Sequence, residues 1–324
     1  MGEITHRTVE TNGISMHIAE AGKGPLVILC HGFPESWYSW RHQLPALAAR
    51  GYHAVAPDQR GYGRTDAPAD ITSYTQFHLV GDIVGLVRAL GEDQAVIVGH
   101  DWGAPVAWNA AMWRPDIFRA VVGMSVPATD RPHGAPTAFM KQRFGDTFFY
   151  MLYFQTPGVA EHELQKDVRR TLRMLLYSAS GAGIENAFGR LPKTAGFLDQ
   201  MTEPEALPDW LTEEDLDYFT DEFQRAGFRG GLNWYRNIDR NWELSAPFAG
   251  RRIEQPALFI TGDRDLTLAM PGYEERMRAV VPNLGEVVTF AGIGHWTQQE
   301  NPEGTNAAML DFLDSLDGQE SATT

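Results

Sequence analysis

The chain has 324 residues, 43% of them hydrophobic and 21% charged, enough for one large buried core or a core with an insert. Its net charge of −15, from 27 Lys and Arg against 42 Asp and Glu, argues against nucleic acid or an anionic membrane as partner. Cys30 is the only cysteine, which excludes an intramolecular disulfide and a cysteine metal cluster and leaves a small core residue.

Met1 to Thr11 is polar and mixed in charge, without the apolar segment of a secretory signal. Gly2 follows Met1, but His6 breaks the myristoylation pattern. No apolar run is long enough to span a bilayer, so a cytoplasmic protein is expected. Residues 7–20 predict a hairpin turning at Asn12-Gly13. Residues 26–30, Leu-Val-Ile-Leu-Cys, predict a buried strand, and 52–56 another. The stretch from Asp58 to Thr65 lacks the Lys-Ser/Thr of a phosphate loop and the spacing of a dinucleotide fingerprint, and reads as a structural turn. Over 74–90, Leu79, Val80, Ile83, Val84, Leu86, Val87 and Leu90 recur at helical spacing, and Gly91 ends the helix.

Residues 95–98, Ala-Val-Ile-Val, predict a buried strand that runs into Gly99-His100-Asp101-Trp102-Gly103. Residues 104–113 then predict a helix, with Pro105 in the first turn where its missing N–H costs nothing. A strand follows at 118–124. From about Asp130 to Ser245 no strand is recognisable; helices are expected at 160–177 and 213–226, and so long a segment must be a helical insert rather than a bare loop. Strands return at 257–261 and 287–290. Asn301 as N-cap and Pro302 at the first position open a last helix, and 319–324 is expected to fray. The alternation of strands and helices predicts an α/β fold with a mostly parallel sheet. The expected domains are a core of 1–129 with 246–324 and a helical lid of 130–245.

Strand, tight turn with flanking glycines and helix is the context of a nucleophile elbow, and Asp101 sits where the α/β-hydrolase fold places its nucleophile. A carboxylate there attacks carbon directly and becomes an alkyl ester, which favours strained or activated electrophilic carbons over amides. Two further loops follow predicted strands. One holds Asp263 and Asp265, the other His295 in Gly294-His295-Trp296. Nucleophile, acid, His is the chain order of that fold, and open parallel sheets gather their sites at the carboxyl ends of the strands. Already ionised, the carboxylate needs no base for its attack; the His would activate water to cleave the ester, oriented by an aspartate. His31-Gly32-Phe33-Pro34 follows the strand 26–30, so the backbone N–H groups of Phe33 and Trp102 are the candidate oxyanion donors. The Phe33–Pro34 bond is a candidate cis peptide.

With these strings the chain resembles an epoxide hydrolase of the α/β-hydrolase superfamily, similar to the soluble mammalian and bacterial enzymes, from about Arg7 to Ser315. The resemblance rests also on the segments from Tyr150 to Gly158 and from Asn233 to Asn237. It implies Asp101 as nucleophile, His295 as base, Asp265 as its partner, and Tyr150 and Tyr235 as lid phenols that hydrogen-bond the epoxide oxygen. Two phenols with ordinary pKa near 10 suit the alkoxide that ring opening develops. Phe33, Trp102, Phe154 and Trp296 are the expected substrate-binding side chains. The expected partners are a hydrophobic epoxide, of fatty-acid or aryl type, and water, with homodimerisation left open. No cofactor and no metal are expected, since no cluster has metal-ligand spacing.

Blander readings stand beside these. Asp101 could be a turn residue. Asp263 competes with Asp265, and Asp130 is an outside candidate for the acid. Tyr150 and Tyr153 lie near one helix face, where an aromatic stripe is usually core; the resemblance selects Tyr150 as donor and Tyr153 as packing. His100 is expected to point away as a scaffold residue. A haloalkane dehalogenase would share Asp101 and His295, with Trp102 as one halide donor, but Phe33 could not supply the second. A non-catalytic receptor on the same fold would bind without turnover.

Overall fold

The computed structural model describes residues 3–268 and 272–321. Its sheet is built from β1 (Thr5–Thr11), β2 (Ile14–Ala21), β3 (Leu26–Cys30), β4 (His53–Pro57), β5 (Ala95–His100), β6 (Phe118–Met124), β7 (Ala257–Gly262) and β8 (Leu284–Phe290), in the spatial order β1-β2-β4-β3-β5-β6-β7-β8. From β4 to β8 neighbouring strands run parallel; β2 pairs antiparallel with β1 and β4. The β1–β2 hairpin turns at Asn12 and Gly13, whose φ angles of 45° and 77° give the twist that a two-residue hairpin needs.

β3, β5 and β7 are buried along their whole length, because helices cover both faces. Alternate residues point to opposite sides. Ile28, Val55, Ile97, Val121 and Phe259 face α2 (Gln76–Ala89) and α3 (Gly103–Trp113) in one core cluster. Val27, Ala54, Val96, Val98, Val122 and Ile260 share a second cluster with the buried apolar residues of α1 (Gln43–Ala49) and Met309, Leu313 and Leu316 near the C-terminus. The 74–90 expectation resolves into a 3₁₀ turn, Ile71–Tyr74, and α2, which Thr75 caps by accepting the His78 N–H.

Between β6 and β7 the chain leaves the sheet, and its described residues form α4 (Pro136–Phe144), α5 (Tyr150–Tyr153), α6 (Val159–Leu164), α7 (Val168–Ser178), α8 (Glu213–Ala226), α9 (Arg229–Arg236) and α10 (Ile238–Leu244). The single helix expected at 160–177 is two, because Asp167 turns extended and caps α7 by accepting the Arg170 N–H. This helical layer packs on the loops at the carboxyl ends of the strands. Trp234 Nε1 donates to the Arg60 carbonyl, Trp37 Nε1 to the Tyr218 hydroxyl and Tyr38 to Asp215. The turn after β4 is structural: buried Asp58 accepts N–H groups from Trp37 and Arg64 and pairs with His17.

The chain closes with α11 (Tyr273–Val280), α12 (Thr297–Glu300) and α13 (Pro302–Ser321). Asn301 caps α13 by accepting the Gly304 N–H at 3.1 Å. The tail expected from Gln319 begins inside α13, which runs to Ser321; 322–324 lie outside the described residues, as do Met1 and Gly2. Among the described residues no helix is long and apolar enough to cross a membrane.

Candidate active site

The parallel strands deliver the candidate residues to one edge of the sheet. Asp101 follows β5 directly, Phe33 lies three residues past β3, Asp265 three past β7 and His295 five past β8. Asp101 takes a left-handed backbone, φ 49°, at a cost of about 1 kcal/mol that the turn must hold in place. The glycines of the elbow are required by close approach: a Cβ on Gly99 would meet the Gly103 carbonyl at 2.0 Å, and one on Gly103 the Cys30 carbonyl at 2.1 Å. The strand-to-helix turn thus presents the carboxylate above the sheet, where Phe33 N–H donates to Asp101 Oδ1 at 2.7 Å. The Phe33–Pro34 peptide is cis.

His295 Nε2 lies 3.3 Å from Asp101 Oδ2, and Nδ1 lies 3.0 Å from Asp265 Oδ2. The other Asp265 oxygen accepts the N–H and the hydroxyl of Thr267, at 2.9 and 2.8 Å. Asp263 turns elsewhere and accepts the Gly292 N–H; Asp130 accepts the N–H of Arg131 on an exposed loop. Burial alone would raise the Asp265 carboxyl, but His295 and Thr267 hold it below the ordinary aspartate value. Burial alone would depress His295; the charges and hydrogen bonds of Asp265 and Asp101 outweigh it and hold the imidazolium well above 6.5.

Tyr150 on α5 and Tyr235 on α9 lie over this centre, with ring centroids 5.9 Å apart. Tyr235 packs edge-on against Trp102 at 5.0 Å and Phe33 at 5.6 Å. Burial first, and the Asp101 charge second, push both phenols above 10. Tyr153 points away and donates to Glu163 at 2.7 Å. Phe154 is fully buried, with edge-on contacts to Phe33, Tyr150 and Tyr235. Trp296 departs from its expected place at the substrate: it is 1% exposed, its indole donates to the Leu176 carbonyl at 2.7 Å, and its ring meets His295 edge-on. The tryptophan side chain is taken up by the contact between the His295 loop and the helical layer.

Behind the centre His100 serves as the scaffold residue expected of it, and sequence reasoning missed its polar partners Glu35 and Ser125. Glu35 is wholly buried and accepts the Gly32 N–H at 2.8 Å and the Gln298 amide at 2.9 Å. Burial would raise it, but His100 and the Gly32 N–H hold it at about 2. His100 Nδ1 lies 2.7 Å from Glu35, while His100 Nε2 and the Ser125 hydroxyl both donate to the His295 carbonyl, at 2.7 and 2.9 Å. Both His100 nitrogens face acceptors, so the ring beside Asp101 buttresses the His295 loop. Only Glu35 carried a signal in the chain, as a carboxylate next to His31-Gly32-Phe33-Pro34 in an otherwise apolar stretch. Among the described residues no group of three or more His, Cys, Asp or Glu is arranged to hold a metal ion.

A family model described as the alpha/beta hydrolase fold matches residues 25–302. Epoxide hydrolase A of Mycobacterium tuberculosis is 48% identical over 321 residues, covering 98% of this chain and 99% of that protein. Epoxide hydrolase 3 of Siraitia grosvenorii is 46% identical, covering 98% of this chain and all of that one (100%). Among solved structures, epoxide hydrolase A from Mycobacterium thermoresistibile superposes with a TM-score of 0.92 at 48% identity, over 96% of this chain and 98% of that one. An epoxide hydrolase from an endophytic Streptomyces gives a TM-score of 0.93 at 44% identity, over 97% and 96% of the two chains.

Proposed function

The chain belongs to the α/β-hydrolase family and is an epoxide hydrolase within it, and from that premise we propose that Asp101 is the nucleophile, His295 the base, Asp265 its partner and Tyr150 with Tyr235 the acids. The observation that carries this reading is the line Asp101–His295–Asp265, with 3.3 Å on one side of the imidazole and 3.0 Å on the other.

Asp101 Oδ1 is occupied by the Phe33 N–H, so Oδ2 attacks an epoxide carbon. The carbon–oxygen bond opposite breaks, and the departing oxygen takes a proton from one phenol while the other keeps its hydrogen bond. Both phenols keep their protons at neutral pH because burial raises them. The product of this half-reaction is a neutral alkyl ester. His295 Nε2 then removes a proton from water, which adds to the carboxyl carbon of Asp101. The oxyanion forms toward the N–H groups of Phe33 and Trp102. Its collapse breaks the ester carbon–oxygen bond; the imidazolium and the new carboxyl group give up one proton each, one to the departing oxygen of the vicinal diol and one to the phenolate, which restores the carboxylate, the neutral imidazole and both phenols.

The segment 130–245 acts in this reading as a lid over the core of 1–129 and 246–324. Its aromatic residues support a hydrophobic epoxide as substrate. A homodimer is an arrangement that light scattering can test.

Two expected outcomes test the assignment. Tyr150→Phe and Tyr235→Phe should each slow formation of the ester by about ten- to a hundredfold, and the pair together by more, read by rapid quench with an aryl epoxide. A single variant that forms ester at the wild-type rate removes that phenol from the mechanism. Gly32→Ala should lower kcat/KM on the order of a hundredfold, because its Cβ would stand 2.3 Å from Asp101 Oδ1 and displace the nucleophile. Thermal unfolding of that variant separates displacement of the carboxylate from loss of the fold.

A further inference from the structure

Glu300 closes α12, five residues past His295, and its side chain turns back on the loop. Oε1 accepts the Trp296 N–H at 3.0 Å. Oε2 accepts the Gly294 N–H at 3.1 Å and the Gly181 N–H at 2.8 Å. The first two donors are the residues on either side of His295. The third belongs to the turn after α7, in the helical layer. The N–H of His295 itself donates to Ala179 in that same turn, at 2.9 Å. The two backbones touch without room for a side chain: a Cβ on Gly294 would lie 2.3 Å from the Gly181 nitrogen.

A carboxylate that only capped a loop would need one of these bonds. Here the contacts are shared out around His295. Its carbonyl is held by His100 and Ser125, its Nδ1 by Asp265 and its N–H by Ala179. Turning of this backbone segment is the motion that would swing Nε2 across its 3.3 Å separation from Asp101. Glu300 receives the Trp296 N–H, which shares a peptide plane with the His295 carbonyl, and the Gly294 N–H, one peptide before the plane that holds the His295 N–H. We infer that Glu300 is a positioning residue for the ester-hydrolysis half-reaction: by holding the Gly294 and Trp296 N–H groups on either side of His295 and tying them to the turn after α7, it keeps Nε2 aimed at the water that splits the ester. This rests on the assignment of Asp101 and His295 above.

The half-reactions separate this role from a merely structural one. The first attack needs no base, so a mis-aimed His295 leaves it intact. When only the second step slows, kcat and KM fall together and kcat/KM holds. Glu300→Gln keeps the shape but has one accepting oxygen, and its amide faces at least one N–H that it cannot receive. With styrene oxide as probe, E300Q should lose kcat by about ten- to a hundredfold with KM falling in parallel. Its kcat/KM should stay within twofold of wild type, and intact-protein mass should show the epoxide adduct as the main species during turnover. Loss of kcat/KM in step with kcat, or no more adduct than in the wild type, overturns the inference. If E300Q does not fold, E300D, whose carboxylate is one methylene shorter, carries the same expectation and the same overturning result. If His295→Gln also fails to trap an adduct, the ester assignment itself falls; if it traps one and E300Q does not, only the role of Glu300 falls.

Discussion

Asp101→Ala should lower kcat by about 10⁴-fold or more and leave no covalent adduct at any epoxide concentration. The size follows from the arrangement around the carboxylate. In the proposed mechanism the Phe33 N–H and the two phenols serve an attack by one Asp101 oxygen, and without it none of them can form the new carbon–oxygen bond. Direct attack by water would also need a base on the epoxide side, whereas His295 Nε2 faces Asp101. The wild-type enzyme offers the matching test. In a single turnover in water enriched in heavy oxygen, the diol should carry no label, and the label should appear in the peptide that contains Asp101. Label in the first-turnover diol sinks the ester route.

His295→Gln should do the reverse: ester forms and stays. The rate of ester hydrolysis should fall by about 10²- to 10⁴-fold, the contribution of a positioned base, and protein mass should rise by the mass of the epoxide. A pH signature accompanies it. In the free enzyme, burial pulls the His295 pKa down while Asp265 and Asp101 together pull it well above 6.5. Esterification removes the Asp101 charge, so the value in the ester lies lower and the base can be neutral when it is needed. Because only the neutral imidazole accepts a proton, wild-type ester hydrolysis should speed up as pH rises through that lowered value and then level off. In H295Q that rise should be absent. A variant that keeps the rise, or that shows no adduct after exposure to a substrate the wild type consumes, rules out His295 as the base.

Much of this was legible in the chain. β3, β6 and α8 match residue for residue the runs read as strands and helix, since their patterns are local: a short, mostly apolar run for a buried strand and recurrence on one face for a helix. Boundaries slipped where a turn intervened, as at the 3₁₀ turn before α2 and at Asp167. Asp101, His295 and the loop of Asp263 and Asp265 were legible because each sits just past a strand in a topology that brings strand ends together, whereas Tyr150 and Tyr235, on α5 and α9, were reached only through the family resemblance. The choice of Asp265 over Asp263 rested on the resemblance alone, because two aspartates two positions apart on a loop have the same local signal. Backbone course alone sends one to His295 and the other to Gly292.

The sequence by itself determined the elements, their order, the elbow with its carboxylate and the aromatic character of the segment above it, because each of these is set by neighbours within a few residues. Only the tertiary structure decided which distant groups share a volume. It brings Glu35 against His100, sets Ser125 on the His295 carbonyl, buries Trp296 against α7 and ties Glu300 to Gly181. A buried polar group needs a partner wherever the chain supplies one, and that partner can lie more than a hundred residues away, where no local pattern records it.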